Sequence, residues 1–275
     1  MKKTVLITGA ATGIGLAVTK LLSKNGWYIF ATAMPGQNTQ DLLKYVPAKN
    51  IIHVDLSNHI SIKDLIEKVK SEGTLDALVS NAGIAVPGPI EEVSPDDLRL
   101  QFAVNTFAPA QLAQGLLPLL RASKGHMIFV GAGQGRVALP FGGPYGASKA
   151  ALAALTDALR TEVAKTGVMV SLIEPGAVKT NILQSSQVRS AALLQKMSPE
   201  ARTLYKEPLE KVLNQSEVAF KTAMPPEAMA ELIEKILSTK SPKPRYLVGR
   251  EAKALAFIAL LPAKLRASLV RKTIS

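Results

Sequence analysis

The sequence predicts an α/β protein: one domain over residues 1–275, built on a doubly wound parallel sheet with helices on both faces. Short apolar runs alternate with helical runs along the chain, as they do in repeated strand–helix units. The apolar runs are continuous, which is typical of strands that are buried on both faces. With 275 residues, 47% of them hydrophobic, the chain is long and apolar enough for such a core.

The elements can be assigned in chain order. Strands are predicted at Thr4–Thr8, Tyr28–Thr32, Ile51–Val54, Leu75–Val79, His126–Val130 and Val168–Ile173. Helices are predicted at Ile14–Lys24, Ser61–Ser71 and Pro144–Lys165, and a later helix and strand at Pro225–Leu237 and Pro244–Val248. Residues 181–225 have no strand pattern and are rich in Gln, Ser and Met, so we expect an insertion over a site there.

Composition excludes several kinds of site. The absence of cysteine rules out disulfides, thiolate nucleophiles and Cys-based metal sites. The three histidines lack metal-ligand spacing, and no metal site is expected. Glycines interrupt the apolar N-terminal stretch, which argues against a signal peptide, and the longest apolar run, Ala254–Ala263, is too short to span a membrane. We therefore expect a cytoplasmic protein, at most peripheral to a membrane.

A glycine-rich turn joins the first strand to the first helix. It reads Thr8-Gly9-Ala10-Ala11-Thr12-Gly13-Ile14-Gly15. Glycines in this setting let backbone N–H groups at a helix N-terminus approach a pyrophosphate. The alternative is a turn that only packs the helix on the strand. The strand–turn–helix context favours the phosphate site.

Five further motifs follow at the ends of later elements. They are Asp55-Leu56, Ser80-Asn81-Ala82-Gly83, Val104-Asn105-Thr106, Tyr145-Gly146-Ala147-Ser148-Lys149 and Pro175-Gly176-Ala177-Val178-Lys179-Thr180. Together with the glycine turn they resemble the short-chain dehydrogenase/reductase family over residues 8–180. The helix and strand after residue 225 are loosely similar to its retinol and 17-beta-hydroxysteroid dehydrogenase branch. The resemblance implies a Rossmann-type fold, a homodimer or homotetramer, and an NAD(P)-dependent oxidoreductase that interconverts a hydrophobic ketone or aldehyde and an alcohol.

Tyr145 and Lys149 lie four residues apart on a predicted helix and therefore share a face. A surface Tyr–Lys pair is one interpretation. The other is chemical: a free tyrosine has a pKa of about 10, and a nearby ammonium group lowers it toward that of a useful general base. The resemblance implies Tyr145 as the general acid/base, with Lys149 also binding the nicotinamide ribose and Asn105 in a structural and proton-relay role.

The resemblance also implies the residues that bind the dinucleotide. They are Gly9, Thr12, Gly13, Ile14, Gly15, Asp55, Leu56, Asn81, Ala82, Gly83, Tyr145, Lys149, Pro175, Gly176, Val178 and Thr180. At the end of the second strand, Ala33 stands where NAD enzymes of the family place an acid, and Met34 stands where NADP enzymes often place an arginine. Loss of the acid removes repulsion of a 2′-phosphate, so NADP is preferred and NAD stays an alternative.

The family's catalytic serine is missing. Its position, thirteen residues before the tyrosine, holds Ala132, and no Ser or Thr occurs between Lys124 and Ala147. Three explanations are open: an introduced Ser→Ala change in an active enzyme, a replacement donor at Gln134, or a protein that binds a dinucleotide without turnover.

The segment at 181–225 occupies the family's substrate-lid position. Its large apolar side chains are Ile182, Leu183, Leu193, Leu194, Met197, Leu204, Tyr205 and Phe220. Two interpretations are equally favoured: an ordinary helical core, or the wall of an apolar substrate pocket.

The net charge of +12 is concentrated at the C-terminus. Residues 235–275 hold ten Lys/Arg and a single acid, Glu251. Nucleic acid is not an expected partner, because aromatic residues make up only 5% and no binding motif is present. The basic tail at 250–275 is either a packed terminal helix with solvated charges, which we favour, or an amphipathic helix for an anionic membrane, kinked at Pro262.

Overall fold

A parallel sheet organises the residues that the computed structural model describes, 2–274. Its seven strands in that range are β1 (Thr4–Ile7), β2 (Tyr28–Ala33), β3 (Ile51–His53), β4 (Ala77–Ser80), β5 (His126–Val130), β6 (Met169–Pro175) and β7 (Arg245–Val248). They pair in the order β3-β2-β1-β4-β5-β6-β7, every pair parallel. The predicted fold class is confirmed. Residues 1 and 275 of the predicted domain lie outside the described range.

Ten α-helices occur within residues 2–274. They are α1 (Gly13–Lys24), α2 (His59–Ser71), α3 (Pro95–Phe102), α4 (Ala108–Ser123), α5 (Gly143–Glu162), α6 (Ile182–Lys196), α7 (Pro199–Lys221), α8 (Pro226–Leu237), α9 (Arg250–Ala259) and α10 (Ala263–Arg271). Helix α2 begins two residues earlier than predicted because the Asn58 side chain accepts hydrogen bonds from the amides of Ile60 and Ser61. Helices α3 and α4, which the sequence patterns did not single out, are joined by a π-helical turn at Ala103–Phe107.

Successive side chains of β1 enter two different cores. Val5 and Ile7 pack against α1 and α8 on one face of the sheet, whereas Leu6 packs against α2 and α4 on the other. All three are fully buried. Strand residues alternate between faces, so a strand with helices on both sides needs apolar residues at every position. This explains the continuous apolar runs in the sequence.

The chain order places a cleft between β1 and β4. From β1 the chain builds outward through β2 and β3, and then crosses back to start β4 on the other side of β1. At such a switch point the loops after two neighbouring strands diverge, and a crevice opens at the carboxyl ends of the strands.

The predicted insertion at 181–225 consists of α6 and α7. Its base is closed by a β-bridge between Val178 and Met224, in which the Lys179 amide donates to the Met224 carbonyl at 2.9 Å. The predicted single kinked helix of the tail is instead two helices, because the chain breaks at Leu260-Leu261-Pro262, between α9 and α10. None of the helices within residues 2–274 is both long and apolar enough to cross a bilayer.

Candidate active site

The cleft at the switch point has a volume of about 670 Å³ and brings together nearly all of the predicted site residues. It is lined by Gly9, Thr12, Gly13, Ile14, Asp55, Leu56, Asn81, Ala82, Gly83, Tyr145, Lys149, Pro175, Gly176, Val178 and Thr180. The predicted residues that do not line it are Gly15, Asn105 and Ala132. Positions far apart in sequence thus meet in one cavity of a size that small-molecule sites commonly have.

The glycine turn leaves the N-terminus of α1 open to the cleft. A Cβ atom at Gly13, where φ is +52°, would lie 2.9 Å from Cγ2 of Thr180. A Cβ atom at Gly15 would lie 2.1 Å from the Gly9 carbonyl oxygen, so Gly15 packs beneath the turn and does not line the cleft. No side chain caps α1, and its first turn holds no acid. The free amides and the helix dipole there suit an anion.

Asn81 holds the end of β4 against the end of β1. Its side-chain amide donates to the Thr8 carbonyl at 3.0 Å, and its backbone amide donates to the Thr8 hydroxyl at 2.9 Å. The Ala82 amide donates to the same hydroxyl at 3.0 Å. The two loops that border the cleft are therefore fixed to each other.

Asn105 is completely buried in the π-helical turn. Its Oδ1 accepts from the Ile84 amide at 2.9 Å, and its Nδ2 donates to the Ile84 carbonyl at 3.0 Å and to the Ser148 hydroxyl at 3.1 Å. These contacts tie the loop after β4 to α5, the helix that carries Tyr145. Asn105 thus lies behind the cleft wall and positions it.

Tyr145 and Lys149 face the cleft from the first two turns of α5. The Lys149 ammonium lies 5.9 Å from the centroid of the tyrosine ring and donates to the Val130 carbonyl at 2.8 Å. Burial raises the pKa of Tyr145 to about 12 and lowers the pKa of Lys149 to about 8. The expected lowering of the Tyr145 pKa is therefore wrong for this arrangement, because desolvation by burial raises it.

Ala132 follows β5 and is 7% exposed. The neighbouring Gly133 packs so closely on α9 that a Cβ atom there would lie 2.9 Å from Cα of Ala252. Gln134, the candidate replacement donor, does not line the cleft either; its Oε1 lies 3.1 Å from where a Cβ of Gly142 would be. The alternatives for the missing serine stay open.

An ion-pair network under the site was not anticipated from the sequence. Glu174, buried just before the Pro175 turn, accepts from Arg136 Nε at 2.9 Å and from its Nη2 at 2.7 Å. Arg245 on β7 also pairs with Glu174, at 3.3 Å, and with Asp157 of α5, and this second contact lowers the pKa of Asp157. The network ties the segment after β5 to the end of β6, and leaving the buried Glu174 without a partner would be costly.

Four of the eight apolar residues predicted in the insertion form a small core of their own. Leu193, Leu194, Met197 and Tyr205 pack with Leu209 and with Phe141, which precedes α5. Of the eight predicted residues only Ile182 lines the cleft, and Leu204 is 58% exposed. The structure favours the helical-core interpretation for the four packed residues.

Comparisons with known proteins agree with this architecture. The family model for short chain dehydrogenases matches residues 3–190. The chain is 33% identical to 3-amino-tetrahydro-pyrrolizinone reductase of Xenorhabdus hominickii, over 92% of this chain and 88% of that protein. It is 34% identical to the NADPH-dependent 3-dehydrocapnine reductase of Ornithobacterium rhinotracheale, over 89% and 87%, and 30% identical to retinol dehydrogenase 5 of Mus musculus, over 94% and 85%.

A solved structure of a short-chain dehydrogenase from Streptomyces avermitilis is similar with a TM-score of 0.79 and 26% identity, over 98% of this chain and 95% of that chain. The resemblance read from the motifs, including the one to the retinol dehydrogenase branch, is confirmed. The chain belongs to the short-chain dehydrogenase family.

Proposed function

We propose that the protein is an NAD(P)-dependent oxidoreductase that interconverts a hydrophobic ketone or aldehyde and the corresponding alcohol. The observation that carries this proposal is that Tyr145 and Lys149 share one cleft with the uncapped N-terminus of α1. Tyr145 and Lys149 can take part in proton transfer, and the N-terminus of α1 suits a pyrophosphate.

The residues present fit a dinucleotide. The amides at Gly13 and Ile14 would hold its pyrophosphate, Asp55 and Leu56 its adenine end, and Lys149 its nicotinamide ribose. The bound dinucleotide would supply or accept the hydride. Tyr145 would hold the transferred proton on its hydroxyl. With a pKa of about 12 the hydroxyl is protonated at neutral pH, so it carries the proton that carbonyl reduction needs.

Ile182 of the insertion contributes an apolar side chain to the cleft lining. Phe141 has a φ of +58°, a strained conformation for a non-glycine residue, and its ring packs edge-on against Tyr205 at 6.3 Å. Its carbonyl accepts from the Gly88 amide at 2.8 Å. The loop after β4, the loop before α5 and helix α7 thus meet, which supports a lid role for 181–225, and the side chain of Ile182 supports a hydrophobic substrate.

NADPH is the proposed cofactor. The end of β2 presents no acid to the cleft. The lining residues there are Ala33, which is buried, Met34, which is 66% exposed, and Gln37. The NADPH dependence named for the capnine-type relative supports the same choice.

The direct test measures binding and turnover together. We expect the purified protein to bind NADPH more tightly than NADH in equilibrium titration, and to oxidise it when a panel of apolar ketones and aldehydes is offered. Tighter binding of NADH would reverse the cofactor choice. Failure to bind either dinucleotide would refute the proposed function.

The C-terminal helices support a peripheral membrane contact. Helix α9 packs on the body of the protein through Ala252, but α10 buries no residue. Phe257, Leu260 and Leu265 are 66%, 83% and 56% exposed beside a basic sequence. We propose that this surface binds an anionic bilayer, since exposed apolar side chains flanked by lysines and arginines suit such a surface.

Charge reversal tests this contact. We expect Lys264→Glu/Lys272→Glu to reduce co-sedimentation with phosphatidylserine-containing vesicles at least about tenfold, because each basic residue near such a surface contributes about 1 kcal/mol. Lys196→Glu/Lys206→Glu on the insertion is the matched control and should bind like the parent. Equal binding by both variants would leave α10 as a solvated terminal helix.

We also propose a homodimer or homotetramer. Phe107 and Leu155 are 59% and 45% exposed on helical segments that flank the sheet, and burying them between copies is favourable. A molar mass equal to that of a single chain, measured by light scattering, would contradict the proposed homo-oligomer.

A further inference from the structure

The cleft has few charged groups to meet a dinucleotide. Among the described residues that line it, the charged ones are Asp55, Lys149 and Arg189. Lys149 is buried, and its ammonium donates to the Val130 carbonyl. Arg189, which the sequence motifs did not indicate, is thus the one lining cation with a long, partly exposed side chain in this part of the structure.

Arg189 lies on the side of the insertion that lines the cleft. It lies on α6, one helical turn after Ser185 and two after Asn181, and both of these also line the cleft. The guanidinium itself is turned toward Asp97 on α3, while the start of α6 adjoins the glycine turn. Thr180, directly before them, touches the glycine turn at Gly13.

The present partner of Arg189 holds it weakly. Nη1 of Arg189 lies 3.7 Å from Oδ1 of Asp97 on α3, and the two side chains are 37% and 45% exposed. The other carboxylate oxygen of Asp97 accepts from the Ser94 hydroxyl at 2.7 Å. A long, exposed ion pair contributes little, whereas a phosphate can accept two parallel hydrogen bonds from one guanidinium.

We propose that Arg189 is a phosphate ligand in the cleft and that Asp97 competes with the dinucleotide for it. This inference rests on the proposed dinucleotide binding and adds to it a cation supplied by the insertion. The phosphate is either the pyrophosphate, common to both cofactors, or the 2′-phosphate of NADPH. In either case α6 closes on the cofactor through Arg189.

The test compares two charge-removing variants by equilibrium titration with NADPH and NADH. Arg189→Gln is expected to weaken NADPH binding about five- to twentyfold and to reduce its salt dependence, because one charge-assisted contact is lost. Asp97→Asn is expected to leave binding unchanged or to tighten it up to about threefold, because it frees Arg189. Lys196→Gln, at the exposed end of α6, is the matched control.

The outcomes separate the possibilities. A loss that is equal for NADPH and NADH assigns the pyrophosphate, and a loss confined to NADPH assigns the 2′-phosphate. The inference is overturned if Arg189→Gln binds both cofactors like the parent, or if Arg189→Gln and Asp97→Asn weaken binding equally. In either case Arg189 serves only to hold α6 against α3. If the unmutated protein binds neither dinucleotide, the proposed function itself fails, which the parent titration shows before any variant is compared.

Discussion

Replacing Tyr145 by Phe is expected to lower kcat for carbonyl reduction about 10³-fold, within the range that a positioned general acid contributes. The change removes one hydroxyl and keeps the ring. The hydroxyl is the group that can deliver a proton to the substrate oxygen, since it is protonated at neutral pH. The ring fills the same space at the start of α5, so the cleft keeps its shape.

Binding of the dinucleotide should respond differently. We expect the Kd for NADPH of Tyr145→Phe to stay within about twofold of the parent, because the phosphate and adenine contacts are elsewhere in the cleft. Tyr45→Phe is the matched control: Tyr45 packs against α1 and the sheet, outside the cleft, and should show parental kcat. Retention of more than a tenth of the parental kcat by Tyr145→Phe would remove Tyr145 from the proposed role.

The sequence alone was sufficient for the sheet and for most of the cleft. Its strands are buried on both faces, and this condition is visible locally as continuous apolar runs. The cleft residues follow the carboxyl ends of those strands, where a parallel sheet gathers them at one edge. The family resemblance implied Gly13, Asn81, Tyr145 and Thr180 as site residues, and the sheet brings them to one cleft.

Features set by tertiary contact could not be predicted in this way. Arg189 lines the cleft only because α6 borders it, and no local pattern separates it from Arg202, the other arginine of the insertion. Glu174 and Arg136 are 38 residues apart in sequence. The direction of the Tyr145 pKa shift is set by burial of its hydroxyl, which is a property of the folded cleft.

Restoring the missing hydroxyl is the second prediction with a large effect. Ala132→Ser is expected to raise kcat at least tenfold, because a donor that binds the substrate oxygen in the transition state is typically worth about 10²–10³ in turnover. Ala132 already has the Cβ that serine needs, and its extended backbone (φ −163°, ψ 151°) suits either residue. Ala147→Ser, on the exposed side of α5, is the matched control and should leave kcat unchanged.

Gln134 decides between the remaining explanations for Ala132. If Gln134 supplies the donor, Gln134→Ala should lower kcat at least about tenfold in the parent but have little effect in the Ala132→Ser background, since the two donors would serve one substrate oxygen. The structure sets Gln134 against Gly142 and outside the cleft lining, so we expect Gln134→Ala to have little effect in both backgrounds. In that case, a gain with Ala132→Ser identifies an impaired enzyme with an otherwise complete site. No turnover by either protein with any carbonyl, while both bind NADPH, would instead identify a dinucleotide-binding protein that has lost its chemistry.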